Sequence, residues 1–163
     1  MNVEFKIEAT NCIDFSDYEL SELLKEVYVG EGYVDAKQAE TIFEAAAIRS
    51  RGKIITASNI KNQCLAGLVI MVPPTSNARK LANEGEVEVH LLAVKKDYRK
   101  NDLGNKLVSN LIIQAKNEGY NKIILWTQPS MLTAQSLYSK LGFVHESNFN
   151  AGERDFYLYT RSL

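Results

Sequence analysis

Glu88 and His90 stand two residues apart in the stretch Glu86–Val94, EVEVHLLAV. Period-two alternation places Glu86, Glu88, His90, Leu92 and Val94 on one face of a strand, and Val87, Val89, Leu91 and Ala93 on the other. The second face is wholly apolar and reads as core. The first is polar at one end and apolar at the other, which is unusual in mid-sheet. Two readings fit it: a sheet end emerging into solvent, or a pocket in which a carboxylate and an imidazole handle a proton. An imidazole titrating near neutrality suits the second. Directly after the strand, Arg99-Lys100-Asn101-Asp102-Leu103-Gly104 forms a basic, polar loop that enters a helix. The first amides of a helix have no intrahelical acceptor, and the helix dipole adds partial positive charge there, so strand, loop and helix start make an anion site from backbone alone. Arg99, Lys100 and Lys106 add full charges around it. The loop is too short for a Walker A phosphate loop, and Gly104 stands alone where G-x-G-x-x-G would need three glycines.

Leu92-Ala93-Val94 followed by Arg99 through Gly104 resembles the central motif of the GNAT superfamily of acetyl-CoA-dependent N-acyltransferases, Leu-x-Val and then Arg/Gln-x-x-Gly-x-Gly/Ala. A second block, Ala134-Gln135-Ser136-Leu137-Tyr138-Ser139-Lys140-Leu141-Gly142-Phe143, is similar to the family's A-x-x-L-Y-x-x-x-G-F. The blocks occur in family order and at family spacing over residues 86–143.

The resemblance implies an α+β (mixed α/β) domain over residues 1–163, with a central mixed, largely antiparallel sheet flanked by helices and splayed at its central strands. It implies acetyl-CoA as cosubstrate, with the pantetheine arm along Leu92, Ala93 and Val94 and the pyrophosphate on the amides of Arg99, Lys100, Asn101, Asp102, Leu103, Gly104 and Asn105. Tyr138 falls at the family's general-acid position, where a phenol protonates the departing thiolate beside the cofactor. Glu88 and His90 are the implied candidates for drawing a proton from the ammonium through water, beside the alternative that no residue is needed. The acceptor is a small-molecule or peptide amine, and a homodimer is compatible with the family. No metal is expected, since the chain has two histidines and His145 lies in a terminal hairpin.

Two positions depart from the motif. Asp102 replaces its first glycine, and Met131 stands where the family often has Asn, three residues before Ala134. A carboxylate folded onto the first-turn amides would compete with a phosphate. Aspartate also reaches left-handed dihedrals more readily than most residues, so the side chain can instead face solvent. A non-catalytic CoA-binding or sensor domain of the same fold is the alternative function.

The surrounding pattern supplies the elements. Val3–Glu8 alternates as a strand. Ser16-Asp17-Tyr18-Glu19 has capping-box form ahead of Leu20, Leu23, Leu24, Val27 and Tyr28 at helical spacing. Asp35 with Gln38 starts a second helix, with an apolar face of Ala39, Ile42, Phe43, Ala46 and Ala47. The acidic residues left over on these helices (Glu19, Glu22, Glu26, Glu31, Asp35, Glu40 and Glu44) form either a solvated face or a field for a cationic amine. Ile54–Ile60 and Cys64–Val72 read as strands, and Pro73-Pro74 ends the second. The polar loop from Thr75 to Gly85 either borders the acceptor site or only connects. A helix with Leu107, Val108, Leu111, Ile112 and Ala115 on one stripe, the strand Lys122–Thr127, a helix with Ala134, Leu137, Tyr138 and Leu141, and a hairpin of Phe143–Phe149 with Asp155–Thr160 complete the order β, α, α, β, β, β, α, β, α, β, β.

At 163 residues, 45% hydrophobic and 24% charged, with net charge -1, the chain has the composition of one soluble domain, and nothing in the balance argues for nucleic acid or a membrane surface. No apolar run approaches a membrane span, and the acidic N-terminus does not read as a signal peptide, so the expected location is the cytoplasm. Cys12 and Cys64 read as two buried thiols rather than a disulfide or redox pair.

Overall fold

A computed structural model describes residues 2–10 and 15–163. Among the described residues, seven strands form one sheet: β1 (Phe5–Thr10), β2 (Lys53–Asn59), β3 (Leu65–Val72), β4 (Glu86–Val94), β5 (Lys122–Thr127), β6 (Val144–Ala151) and β7 (Arg154–Ser162). Their order across the sheet is β1-β2-β3-β4-β5-β7-β6, with only the β4–β5 pair parallel. The helices are α1 (Asp17–Tyr28), α2 (Ala36–Ile42), α3 (Ala45–Arg51), α4 (Leu103–Asn117) and α5 (Leu132–Lys140). This is the mixed, largely antiparallel sheet expected from the sequence.

Two cores lie on opposite faces. Leu107, Val108, Leu111 and Ala115 of α4 pack with Tyr138 of α5 against Ile55, Val69, Val87 and Val89. Leu20, Leu23 and Leu24 of α1, with Phe43 and Ile48, cover Ile54, Leu68, Ile70 and Val72 on the other face. Apolar burial of this kind stabilises by roughly 25 cal/mol per Å², so the two helix layers fix where the sheet lies.

The capping box of α1 forms as its sequence predicts. The Ser16 hydroxyl accepts from the Glu19 amide at 3.1 Å, and the Ser16 amide donates to the Glu19 carboxylate at 2.9 Å. The second helix departs from the expectation. It stops at Phe43, and α3 begins afresh after Glu44, so Ala45 and Ile48 are buried while Ala46 is exposed. Phe43 fills the core beneath the break, and its carbonyl accepts from the Ser21 hydroxyl at 2.7 Å. Tertiary packing there replaces a helical bond with a side-chain one.

The expected alternation along β4 is also corrected. Leu91 has φ 57° and leaves the β3 register, which passes from Ile70↔His90 to Leu68↔Ala93. One extra residue flips the pleat. Leu92 and Val94 therefore join Val87 and Val89 on the α4 face, while Leu91 and Ala93 follow Glu88 and His90 onto the α1 face. Cys64 is a further correction: it is exposed and free, and Cys12 lies outside the described residues. Among the described residues no helix is long and apolar enough to cross a membrane.

Candidate active site

The parallel pair β4–β5 is joined only from Glu86↔Lys122 to Glu88↔Ile124, and beyond that the strands separate. From Val89 onward the β5-facing edge of β4 has no strand partner. The gap opens into a cleft of about 1160 Å³. Leu92 and Val94 line it, whereas the Ala93 side chain, 1% exposed, turns into the α1-side core. An unpaired strand edge offers the donors and acceptors that an extended amide-containing arm can bond.

At the mouth of the cleft, Arg99, Lys100, Asp102, Leu103, Gly104 and Asn105 form the wall. Asn101 does not line it; its side-chain amide donates instead to the Tyr98 carbonyl at 3.0 Å. Arg99 is ion-paired with Glu31. Lys100 and Asp102 both adopt left-handed backbone, with φ 73° and 58°. Asp102 precedes α4 directly, yet its exposed side chain makes no capping hydrogen bond. The carboxylate thus leaves the first amides of α4 open, the solvent-facing arrangement considered above. At Gly104 α4 passes close to α5: a Cβ there would sit 3.1 Å from Leu137 Cδ2, so a larger residue would require that side chain to shift. These free amides, the flanking cations and the open strand edge fit a nucleotide pyrophosphate with an extended amide arm.

Tyr138 is 6% exposed, packs edge-on against Phe143 at 5.6 Å and lines the cleft. Burial raises its phenol well above the usual tyrosine value, so it stays protonated and able to donate. Its hydroxyl bonds to no other described residue. Met131 also lines the cleft and offers no side-chain cap to α5.

Glu88 and His90 do lie together, deep in the sheet. His90 Nε2 is 2.7 Å from Glu88 Oε1, and Arg51 Nη1 is 2.9 Å from His90 Nδ1. A guanidinium only donates, so Nδ1 accepts and the neutral ring carries its proton on Nε2, donated to Glu88. Trp126 meets the imidazole edge-on at 5.3 Å. Burial is the largest influence on His90 and lowers it below the ordinary value; the Glu88 hydrogen bond opposes that, and Arg51 and Lys80 add to the lowering. On Glu88, burial works to raise the carboxyl. The His90 bond and the amides of Ala82, Leu81 and Lys80 outweigh it and hold the group at about 2. Those amides lie 2.7, 2.6 and 2.9 Å from Glu88 Oε2. Fully buried and saturated with donors, Glu88 stands behind His90 and does not reach the cleft wall, which His90 does. The loop between β3 and β4 therefore borders the site, through Lys80 in the wall and three amides on Glu88.

Four residues of the site carried no local signal in the sequence. Arg51 ends α3 and Lys80 sits in an irregular loop, so only the fold brings both to His90. Tyr28 reads as one more position of an amphipathic stripe, yet its hydroxyl donates to the Leu92 carbonyl at 3.0 Å. Thr127, 2% exposed, belongs to the cleft lining, and its buried hydroxyl has no protein partner among the described residues. Of the acidic residues on the first helices, only Glu31 lines the cleft, and Arg99 pairs with it. No group of three or more metal-ligating side chains occurs among the described residues.

No curated protein matches the chain by sequence. Solved structures share its fold. A GNAT-family acetyltransferase from Staphylococcus aureus superposes with a TM-score of 0.76 at 21% identity, covering 98% of this chain and 99% of that one. The PaiA N-acetyltransferase from Thermoplasma acidophilum, solved in complex with coenzyme A, gives 0.75 at 15% identity, with 98% and 99% coverage. The ribosomal-protein-S18-alanine N-acetyltransferase from Escherichia coli gives 0.72 at 18% identity, covering 98% and 94%. The family model for the GNAT acetyltransferase family matches residues 18–143, spanning the splayed strands, the helix start after them and Tyr138, and the chain belongs to that family.

Proposed function

We propose that the protein is an N-acetyltransferase that moves an acetyl group directly from acetyl-CoA to a primary amine. The observation that carries this reading is the coincidence of three features in one cleft: an unpaired β4 edge, an uncapped α4 start and a protonated, partner-free Tyr138 hydroxyl. The pantetheine arm runs along the edge at Leu92 and Val94, with backbone of Ala93 between them. The pyrophosphate sits on the amides at the start of α4, flanked by Lys100. The thioester supplies an activated acyl carbon.

The acceptor nitrogen attacks that carbon, the C–S bond breaks, and Tyr138 gives its proton to the departing sulfur. His90 receives the amine's proton on Nδ1, directly or through water, once Arg51 yields that lone pair. Burial keeps His90 neutral and ready to accept. Glu88 is a positioning residue: it fixes the ring by accepting from Nε2 and stabilises the imidazolium when it forms.

Thiol release from acetyl-CoA over a panel of amines, with mass detection of the N-acetylated product, tests the reading. One acetylated amine for each CoA released is the expected result. Binding of CoA with no product from any amine would instead support a CoA-binding sensor, and absence of CoA binding would defeat both.

A further inference from the structure

Among the described residues, no carboxylate meets the cations at the inner end of the cleft. Arg51 donates through Nη1 to His90 Nδ1, and its Nε and Nη2 meet no acceptor among the described residues. Lys80 lines the same end, and its ammonium likewise has no partner there; only its backbone amide is used, on Glu88. Of the described residues, two carboxylates line the cleft, and both belong to the mouth: Glu31, paired with Arg99, and Asp102 at the start of α4. Glu88 lies behind the imidazole, with its oxygens taken by three amides and His90. Partial burial of a guanidinium with open donors is unfavourable unless an anion meets it, and burial accordingly lowers the Arg51 value. A planar fork with two adjacent free N–H groups matches a carboxylate.

From this we infer that the acceptor is an amine that itself carries a carboxylate, seated on Arg51 and Lys80 as in a free amino acid. The inference rests on the acetyl-transfer reading and names its substrate class. Arg51 touches His90 at 2.9 Å, so the anion and the nitrogen handled beside that ring are only a few bonds apart. An α- or β-amino acid meets that spacing. A polyamine brings no anion, and the N-terminus of a long peptide brings its terminal carboxylate too far away. Trp126, edge-on to His90, gives the substrate's side chain an apolar wall.

The test uses matched sets: phenylalanine, leucine and methionine, their primary amides, and the corresponding decarboxylated amines. Steady-state kcat/KM for each is read from N-acetyl product, in wild type, Arg51→Gln and Lys80→Gln. A charge-assisted contact predicts a preference for the acid over its amide of roughly tenfold or more. Arg51→Gln removes that preference and Lys80→Gln reduces it. Lys80 is exposed, so its variant keeps the comparison if Arg51→Gln fails to fold. Equal or better use of the amides or decarboxylated amines by wild type overturns the inference and leaves acetyl transfer standing.

A second arm covers failure of transfer itself. N-acetylphenylalanine and its amide are titrated calorimetrically into the CoA-loaded protein. Binding of the acid but not the amide, lost in Arg51→Gln or Lys80→Gln, retains the carboxylate seat even if no amine is acetylated. No discrimination between the two overturns it.

Discussion

The Tyr28 hydroxyl donates to the Leu92 carbonyl at 3.0 Å, tying the last residue of α1 to β4 one residue past the Leu91 bulge. The bond meets a carbonyl that β3 does not take, at the place where the cofactor arm is proposed to lie. Tyr28 also packs against Phe43 at 5.6 Å, so its ring is held whether or not the hydroxyl is present.

Tyr28→Phe therefore isolates the hydroxyl. It should destabilise the protein by about 1 kcal/mol, the net worth of one hydrogen bond, with an unchanged denaturant slope. The KM for acetyl-CoA should rise, because the bulged segment loses its tie. Urea unfolding and steady-state kinetics check the two effects separately.

Glu88 gives a pH signature. Its carboxyl sits at about 2 when folded, against an ordinary 4.5. A depressed carboxyl contributes stability above the unfolded-state value and loses it as pH falls toward the folded one; here that contribution is on the order of 3 kcal/mol above pH 5. The unfolding free energies of wild type and Glu88→Gln should converge as pH drops from about 5 and nearly meet by about 2. His90, neutral in the fold, acts in the same sense: below about pH 6.5 the unfolded chain takes up a proton that the folded ring resists. A gap that stays constant down to pH 2 would show that the Glu88 network does not hold the carboxylate.

Asp102→Gly removes a left-handed aspartate that caps nothing. CoA affinity should stay the same or tighten, since one negative charge leaves the mouth of the cleft and glycine accepts the backbone at no steric cost. Calorimetric titration of CoA reads this directly. A marked loss of affinity would assign Asp102 a part in organising the loop.

The family and the elements around the proposed cofactor end were legible because their signals are local: Leu92 to Gly104 and Ala134 to Phe143 each carry a motif within one or two consecutive elements. The stripes of α1, α4 and α5 were legible for the same reason. The bulge was not. Period two, applied through Leu91, put Leu92 and Val94 beside His90, and nothing in LLAV announces a positive φ at a leucine. The break between α2 and α3 was hidden in a run of alanines whose helix propensity is high throughout; core packing of Phe43 and the Ser21 contact decide it. Arg51 and Lys80 reach His90 from 39 and 10 residues away in sequence, so the triad of Arg51, His90 and Glu88 exists only once the sheet is assembled.

The most direct measurement is single-turnover thiol release from acetyl-CoA, with an accepted amine in excess, in wild type and Tyr138→Phe. Loss of the phenol proton at the departing sulfur should slow release by on the order of 100-fold, with acetyl-CoA affinity nearly unchanged because the ring still packs on Phe143. Equal release rates in the two proteins would contradict the account.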